Sequence, residues 1–142
     1  MDTSELSQLL LSEGCNPDLY TIGHGGSDAF CLYQSNGKWQ VCYTERGHDS
    51  PPIFETDSEK EACQFFFRQI TSFRHDHCVG LFRSEQCAIA LEQRLLDKQI
   101  QSWRDKVPYG GPHDPRYRVF VSGKAIFGAK ELLGSVPIRD EA

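Results

Sequence analysis

The clearest periodic pattern in the sequence is a pair of alternating segments joined by a tight turn. The runs AFCLYQS and KWQVCYTE flank an Asn-Gly dipeptide at 36–37, which readily adopts the positive φ angles of a two-residue hairpin turn. In the second run Trp39, Val41 and Tyr43 fall on one face, because side chains alternate along a strand. The pattern predicts a β-hairpin over residues 29–45 with one buried face.

Four other segments have apolar residues at helical spacing, about 3.6 residues per turn. They read TSELSQLLLSEG, DSEKEACQFFFRQITSF, SEQCAIALEQRLLDKQI and KAIFGAKELLG. Side chains that cap helix amino ends stand at the start of the first three: Thr3 or Ser4, then Asp57 or Ser58, then Ser84. Glycines follow the first and last segments, as is typical of helix ends. We therefore expect four helices.

Short apolar runs predict further strands in CVGLFR, SWRDKV and YRVFVSG. The resulting order is α-β-β-α-β-α-β-β-α. Such a mixed order with a hairpin predicts an α+β fold, a largely antiparallel sheet with helices packed on one face. The 142 residues fit one domain over 1–142, with 1–75 (α-hairpin-α) and 76–142 (β-α-β-β-α) as candidate subdomains.

Charge is unevenly divided along the chain, whose net charge is -5. Residues 1–75 hold eleven Asp or Glu against five Lys or Arg, a net charge of -6, whereas residues 76–142 carry +1. An acidic amino-terminal half repels nucleic acid and attracts a basic protein. The chain also lacks a basic stripe, so we expect no nucleic-acid partner. A solvated acidic surface without any partner would explain the same bias.

The cysteines and the amino terminus bear on cofactors and compartment. The six cysteines, at 15, 31, 42, 63, 78 and 87, form no C-x-x-C pair, and most lie in apolar segments where a thiol acts as a small hydrophobe. We therefore expect no metal, redox chemistry or cofactor. The start MDTSELSQLLLSEG has acids where a secretory signal has bases. No run of about eighteen apolar residues occurs, so a cytoplasmic protein without membrane contact is predicted.

Two histidine motifs raise the question of catalysis or metal binding. His24 lies beside Ser27 and Asp28 in IGHGGSD, but neighbours in one loop do not readily converge as a catalytic triad, so a turn is favoured. His75 and His77 could share one face of a strand. Two ligands do not complete a metal site, and a histidine at a helix end is favoured instead. We expect no enzyme activity.

The segment PYGGPHDPRYR, residues 108–118, combines rigid and polar residues. It does not suit phosphate binding, because Pro112 and Pro115 lack amide donors and a strand follows. His113 and Asp114 have no third group beside them that would complete a catalytic site. We expect a structural or partner-contacting loop.

Two consecutive motifs resemble those of small immunity proteins of bacterial polymorphic toxin systems. The hairpin contains GKWQVCYTERG, and a helix motif follows. The matching helix-motif residues are Phe54, Ser58, Glu59, Ala62 and Phe65. The resemblance covers about residues 20–134. It implies a cytoplasmic protein that binds a cognate toxin and neutralises it by stoichiometric occlusion, without catalysis.

A toxin with a basic cleft would select acidic side chains and exposed loop residues as contacts. The candidate partner-binding residues are Asp18, Asp28, Glu45, Asp49, Glu55, Tyr109, His113 and Asp114. An alternative is a small regulatory module, because the β-α-β-β-α half could form a ligand-sensing domain of ferredoxin-like type. A hydrolase centred on His24 or His113 lacks a convergent nucleophile, base and orienting group. The oligomeric state is not predicted.

Overall fold

A computed structural model of the chain describes residues 1–26, 28–46, 48–49 and 51–140. The described residues form four α-helices and two mixed β-sheets, which confirms the α+β class. The strands divide between two sheets, where the sequence analysis expects one. Residue contacts separate two compact units, residues 1–74 and 75–142.

The first unit contains two helices and a five-stranded sheet. Its elements are α1 (Thr3–Ser12), a short 3-10 helix (Pro17–Leu19), β1 (Tyr20–Ile22), β2 (Ala29–Ser35), β3 (Lys38–Glu45), β4 (His48–Asp49), β5 (Phe54–Thr56) and α2 (Glu59–Thr71). Strand β1 runs parallel to β2, β2 is antiparallel to β3, and β3 also pairs antiparallel with β4 and β5. The predicted order contains no strand for β1, β4 or β5.

The predicted hairpin is confirmed as β2 and β3. Its turn residues Asn36 and Gly37 have φ angles of 54° and 78°, the left-handed values that a two-residue turn of this kind requires. The turn sets the pairing, from Ser35 opposite Lys38 to Ala29 opposite Thr44. Because the pairing is fixed, each strand has one face toward the helices and one face away from them.

The core of the first unit lies between the hairpin and both helices. Its large, fully buried side chains are Leu6, Leu10, Leu32, Val41, Phe66 and Ile70. The ring of Phe66 meets Tyr20 edge-on at 6.2 Å, and Phe65 meets Phe54 edge-on at 4.4 Å. These contacts hold α2 against the sheet.

Side-chain caps fix where three helices begin. Ser58 and Ser84 cap α2 and α3 as predicted, accepting hydrogen bonds from the amides of Glu61 and Cys87. The predicted cap of α1 was wrong, because Asp2 rather than Thr3 or Ser4 caps it, accepting from the Glu5 amide at 2.9 Å. An aspartate caps at least as well as either residue, so the helix begins one residue earlier than a Thr3 cap predicts and two earlier than a Ser4 cap predicts.

The second unit contains two helices on a four-stranded sheet. Its elements are β6 (Asp76–Phe82), α3 (Glu85–Asp97), β7 (Trp103–Val107), β8 (Arg116–Ser122), α4 (Ala125–Leu133) and β9 (Ile138–Arg139). The strand order is β7-β8-β6-β9, and only β9 is parallel to its neighbour. The core packs α3 and α4 on one sheet face through Val79, Leu91, Leu95, Val119, Val121, Ile126 and Ala129.

Strand β6 approaches α3 closely at Gly80. A β-carbon at this position would lie 2.6 Å from Leu91 Cδ2 and 2.6 Å from a ring carbon of Phe82. Only glycine therefore fits here without movement of both neighbours. The strand register shifts between Cys78 and Gly80, which is typical of a β-bulge.

The chain after α4 is held to the second unit by a carboxylate. Asp140 accepts hydrogen bonds from the backbone amides of Arg83 and Ser84, both at 3.0 Å, at the amino end of α3. The Arg83 amide and, with it, the Ser84 amide hold the pKa of Asp140 below its ordinary value of 3.8.

No helix in the described part of the chain is both long enough and apolar enough to cross a bilayer.

The substitution Phe66→Ala should lower the free energy of unfolding of the first unit by about 3–5 kcal/mol, because it leaves a cavity in a close-packed core. Phe66 is 0% exposed. The matched control Phe127→Ala removes a ring that is 47% exposed and should change stability by only about 0.5 kcal/mol. Amide exchange under native conditions measures each unit separately. Equal losses of unfolding free energy in both variants would contradict the burial of Phe66 in the core.

The contact of Asp140 should depend on pH. Because its folded-state pKa is lowered, it stabilises the fold fully above pH 3.8, and this stabilisation is lost as pH falls through the lower folded-state value. An NMR titration of the Asp140 carboxyl group should detect the lowered pKa. In the unaltered chain the protection of the Arg83 and Ser84 amides against exchange should fall as Asp140 becomes protonated. Asp140→Asn should abolish this pH dependence. An ordinary pKa would show that the contact is absent in solution.

Candidate partner-binding surfaces

Four of the predicted acidic residues lie at one end of the first sheet. Asp18 is two residues before β1, Asp28 directly precedes β2, Glu45 ends β3 and Asp49 lies in β4. Since β1 and β2 are parallel and β3 is antiparallel to β2, the starts of the first two strands meet the end of the third. We call this end of the sheet, defined by Asp18, Asp28, Glu45 and Asp49, the acidic end.

A buried threonine holds the chain at the acidic end. Thr44 is 2% exposed, and its hydroxyl donates to the Gly26 carbonyl at 2.6 Å. The Thr21 hydroxyl donates to the His24 carbonyl at 2.7 Å. These bonds hold the carbonyls of Gly26 and His24 to the neighbouring strands β3 and β1.

His24 lies in this segment. Its Nδ1 is 2.7 Å from the carbonyl oxygen of the next residue, Gly25. This contact is with the adjacent residue in the chain. Ser27, which the sequence offers as a possible nucleophile, lies outside the described residues.

The acidic residues differ in whether their carboxylates already accept hydrogen bonds or form ion pairs. Asp28 accepts a hydrogen bond from the Arg46 amide at 3.1 Å. Asp18 and Glu45 are exposed, and their carboxylates have no hydrogen bond or ion pair with any other described residue. The side chain of Asp49 lies outside the described part of the chain. The carboxylates of Asp18 and Glu45 are thus directed to solvent.

Glu55 does not belong to the acidic end. It lies in β5 opposite Gln40, five residues along β3 from Glu45, a separation of about 16 Å at strand spacing. Its carboxylate accepts from Gln40 Nε2 at 3.1 Å and lies 3.7 Å from Lys38 Nζ. An exposed pair of this kind contributes little stability, but it partly neutralises the charge of Glu55.

The loop between β7 and β8 is organised around Arg116, a residue that the sequence analysis missed. Arg116 is 3% exposed. Its Nη1 donates to Asp114 Oδ1 at 2.7 Å and to the Pro115 carbonyl at 3.1 Å. Its guanidinium also lies over the Tyr109 ring, 4.8 Å from the centroid, a cation–π arrangement. The loop therefore packs around a buried charge that is paired.

Backbone contacts close the same loop. The Gly110 amide donates to the Asp114 carbonyl at 2.9 Å, and the Asp114 amide donates to the Gly111 carbonyl at 3.1 Å. A β-carbon at Gly110 would lie 2.2 Å from Asp114 Oδ2, so glycine is needed for this approach. Asp114, predicted as a partner contact, is engaged within the loop.

Two other predicted loop residues remain on the surface. Tyr109 is 63% exposed, with Arg116 against its ring. His113 is exposed. An ordered tyrosine on a rigid loop is a common anchor in protein interfaces, because little side-chain entropy is lost on binding.

The two histidines that suggested a metal site lie in different surroundings. His75 is buried, and its carbonyl accepts from the Gly123 amide at 2.7 Å. His77 lies in β6 opposite Val121, rather than at a helix end as the sequence analysis favours. Among the described residues, no three His, Cys, Asp or Glu side chains are grouped so that they could hold a metal ion.

Two open grooves flank Ile100 in the second unit. One, of about 400 Å³, lies along α3 and includes Ile89, Leu96 and the ion pair of Glu92 with Arg104. The other, of about 440 Å³, lies between the end of α3 and α4 and includes Lys98, Gly128, Glu131 and Leu132. Leu96 is 60% exposed, so the first groove has an apolar wall open to solvent.

No family model, no curated protein and no solved structure matches the chain.

The substitution Asp114→Ala should loosen the loop, because it removes the charged partner of a buried arginine. We expect a loss of about 1–2 kcal/mol, since Asp114 is itself half exposed. In this variant the backbone amides at positions 110 and 114 should exchange faster. His113→Ala is the matched control and should leave both rates unchanged. Unchanged exchange in Asp114→Ala would show that backbone contacts alone order the loop.

Proposed function

We propose that the chain is an immunity protein that binds a cognate bacterial toxin domain and neutralises it by stoichiometric occlusion. The observation that supports this best is the acidic end of the first sheet. Asp18 lies in the short 3-10 helix before β1, and Glu45 ends β3. Both are exposed, and neither carboxylate forms an ion pair with another described residue. Such a surface suits a toxin with a basic cleft, for example one that acts on nucleic acid.

Electrostatic steering would bring the two proteins together. The first 75 residues carry a net charge of -6, which raises the association rate with a basic partner and makes it sensitive to salt. Neutralised groups contribute less to this attraction. For that reason Asp18 and Glu45 are preferred as contacts over Glu55, whose carboxylate lies beside Lys38.

The loop organised by Arg116 offers a second contact surface. Tyr109 and His113 are exposed there, on a backbone that internal hydrogen bonds already order. A preorganised loop loses less entropy on binding than a mobile one. Asp114 contributes by holding Arg116 rather than by touching the toxin. The proposal includes action in the cytoplasm, where such a toxin would work.

A ligand-sensing module is the second candidate function. The second unit has the element order β-α-β-β-α-β, which is that of ferredoxin-like domains, and open grooves lie beside its helices. Apolar grooves with a few polar groups are where small molecules bind. A small molecule retained in native mass spectra, together with failure to neutralise any toxin, would favour this candidate.

The double variant Asp18→Lys/Glu45→Lys should weaken the complex with the toxin domain encoded beside the gene. We expect at least about a tenfold loss of affinity at low salt, mostly in the association rate, because attraction becomes repulsion. Co-expression should then no longer rescue cells from the toxin. Surface plasmon resonance over a salt series measures both effects.

The matched control is Glu55→Lys/Asp57→Lys. It changes the net charge equally but acts on exposed residues away from the acidic end. It should retain rescue and lose less affinity. Equal losses in both variants would indicate only a general effect of charge. If the unaltered chain forms no one-to-one complex and gives no protection, the immunity proposal is wrong.

A further inference from the structure

Two cysteines lie directly opposite each other in the β2–β3 hairpin. Cys31 of β2 is paired with Cys42 of β3. Side chains of directly paired residues in an antiparallel sheet lie on the same face. Both thiols therefore lie on the face opposite to Leu32 and Val41, which pack into the helical core. Both are reduced in the structure and buried, at 0% and 1% exposure.

The strand spacing allows a bond between them. Paired α-carbons in antiparallel strands are about 4.5–5.5 Å apart, within the range of about 4.4–6.8 Å found for disulfides. Their β-carbons, about 4.5–5.5 Å apart, exceed the mean of about 3.8 Å in disulfides. The strands would have to close by about 1 Å. A disulfide formed here would be strained, and strained disulfides are readily reduced.

The thiols are held by different neighbours in the reduced protein. Cys31 Sγ lies 3.6 Å from the Ala29 carbonyl and 3.8 Å from Thr44 Oγ1. The Tyr33 hydroxyl donates to Cys42 Sγ at 3.7 Å. Forming a bond would draw the Cys31 side chain away from Thr44, the residue that holds the Gly26 carbonyl. Oxidation of the pair would thus change the contacts of Thr44 at the acidic end.

Three of the other cysteines are less suited to this bond. Cys78 is paired with Phe120 rather than with a cysteine, and Cys87 lies on α3. Cys63 lies in the core of α2, and burial raises its pKa to about 11. A thiol with so high a pKa is a poor nucleophile at neutral pH.

We propose that Cys31 and Cys42 form a reversible dithiol–disulfide pair, oxidised by small disulfides of the glutathione class. One thiolate attacks the sulfur of oxidised glutathione and releases one glutathione. The second thiolate attacks the resulting mixed disulfide and releases the other. Two protein S–H bonds and one glutathione S–S bond are lost, one protein S–S bond forms, and the two protons end on two glutathione thiols. The protein loses the two electrons that glutathione gains.

Burial sets the rate of this reaction and strain sets its equilibrium. The oxidant reaches either sulfur when the hairpin opens locally, so exchange is slow compared with that of exposed thiols. The bond would then join β2 to β3 three residues before Glu45. This inference does not depend on the immunity proposal, because it concerns only the hairpin.

The test uses the folded full-length chain, incubated to equilibrium in glutathione buffers of graded oxidised-to-reduced ratio. Acid quenching, alkylation and peptide mass mapping should then show a Cys31–Cys42 link and a loss of two of the six thiols. Excess reduced glutathione should restore all six. Cys31→Ala and Cys42→Ala should each abolish the link, whereas the matched control Cys87→Ala should retain it.

Linkage mapping in the unaltered protein decides the proposal even where a variant folds poorly. Glutathione adducts confined to Cys78 or Cys87, or disulfides between other cysteines, would overturn it. A Cys31–Cys42 link that forms only in urea would also overturn it, because the pair would then react only in the unfolded chain. Persistence of the link in excess reduced glutathione would show that it is not reversible.

Discussion

The register of the β2–β3 hairpin is the constraint on which most of the first unit depends. The turn at Asn36 and Gly37 leaves no residue unpaired between the strands, so every opposite pair is determined from Ser35–Lys38 onward. A shift of one residue would turn Leu32 and Val41 out of the core. The same shift would separate Cys31 from Cys42. Core, acidic end and cysteine pair are therefore consequences of one turn.

In the second unit a buried charge has a comparable role. Arg116 begins β8 with its side chain removed from water, which is costly unless the charge is paired. Asp114, two neighbouring carbonyl groups and the Tyr109 ring together satisfy it. These contacts draw both ends of the loop toward the arginine. The proposed contact residues of this loop are Tyr109, whose ring Arg116 lies against, and His113.

Local patterns predicted the hairpin, the longer strands β6, β7 and β8, and the caps at Ser58 and Ser84, because each depends on neighbours in the chain. The predicted order contains none of the short strands β1, β4, β5 and β9, since two or three residues have no measurable periodicity. The burial of Arg116 also escaped, because its partners lie in a loop whose path the sequence does not reveal. The pairing of Cys31 with Cys42, by contrast, follows from the predicted turn by counting.

The predicted partner-binding residues are six acids together with Tyr109 and His113, and the structure divides the acids by their electrostatic surroundings. Asp28 and Asp114 hold backbone or arginine groups, and Glu55 lies beside Lys38. A carboxylate that already has a donor gains less from a new cation, because part of its charge is neutralised. Asp18 and Glu45 have no such donor among the described residues. In the proposed complex, charge would therefore attract the toxin to the whole acidic end, and these two residues would gain most from direct contact.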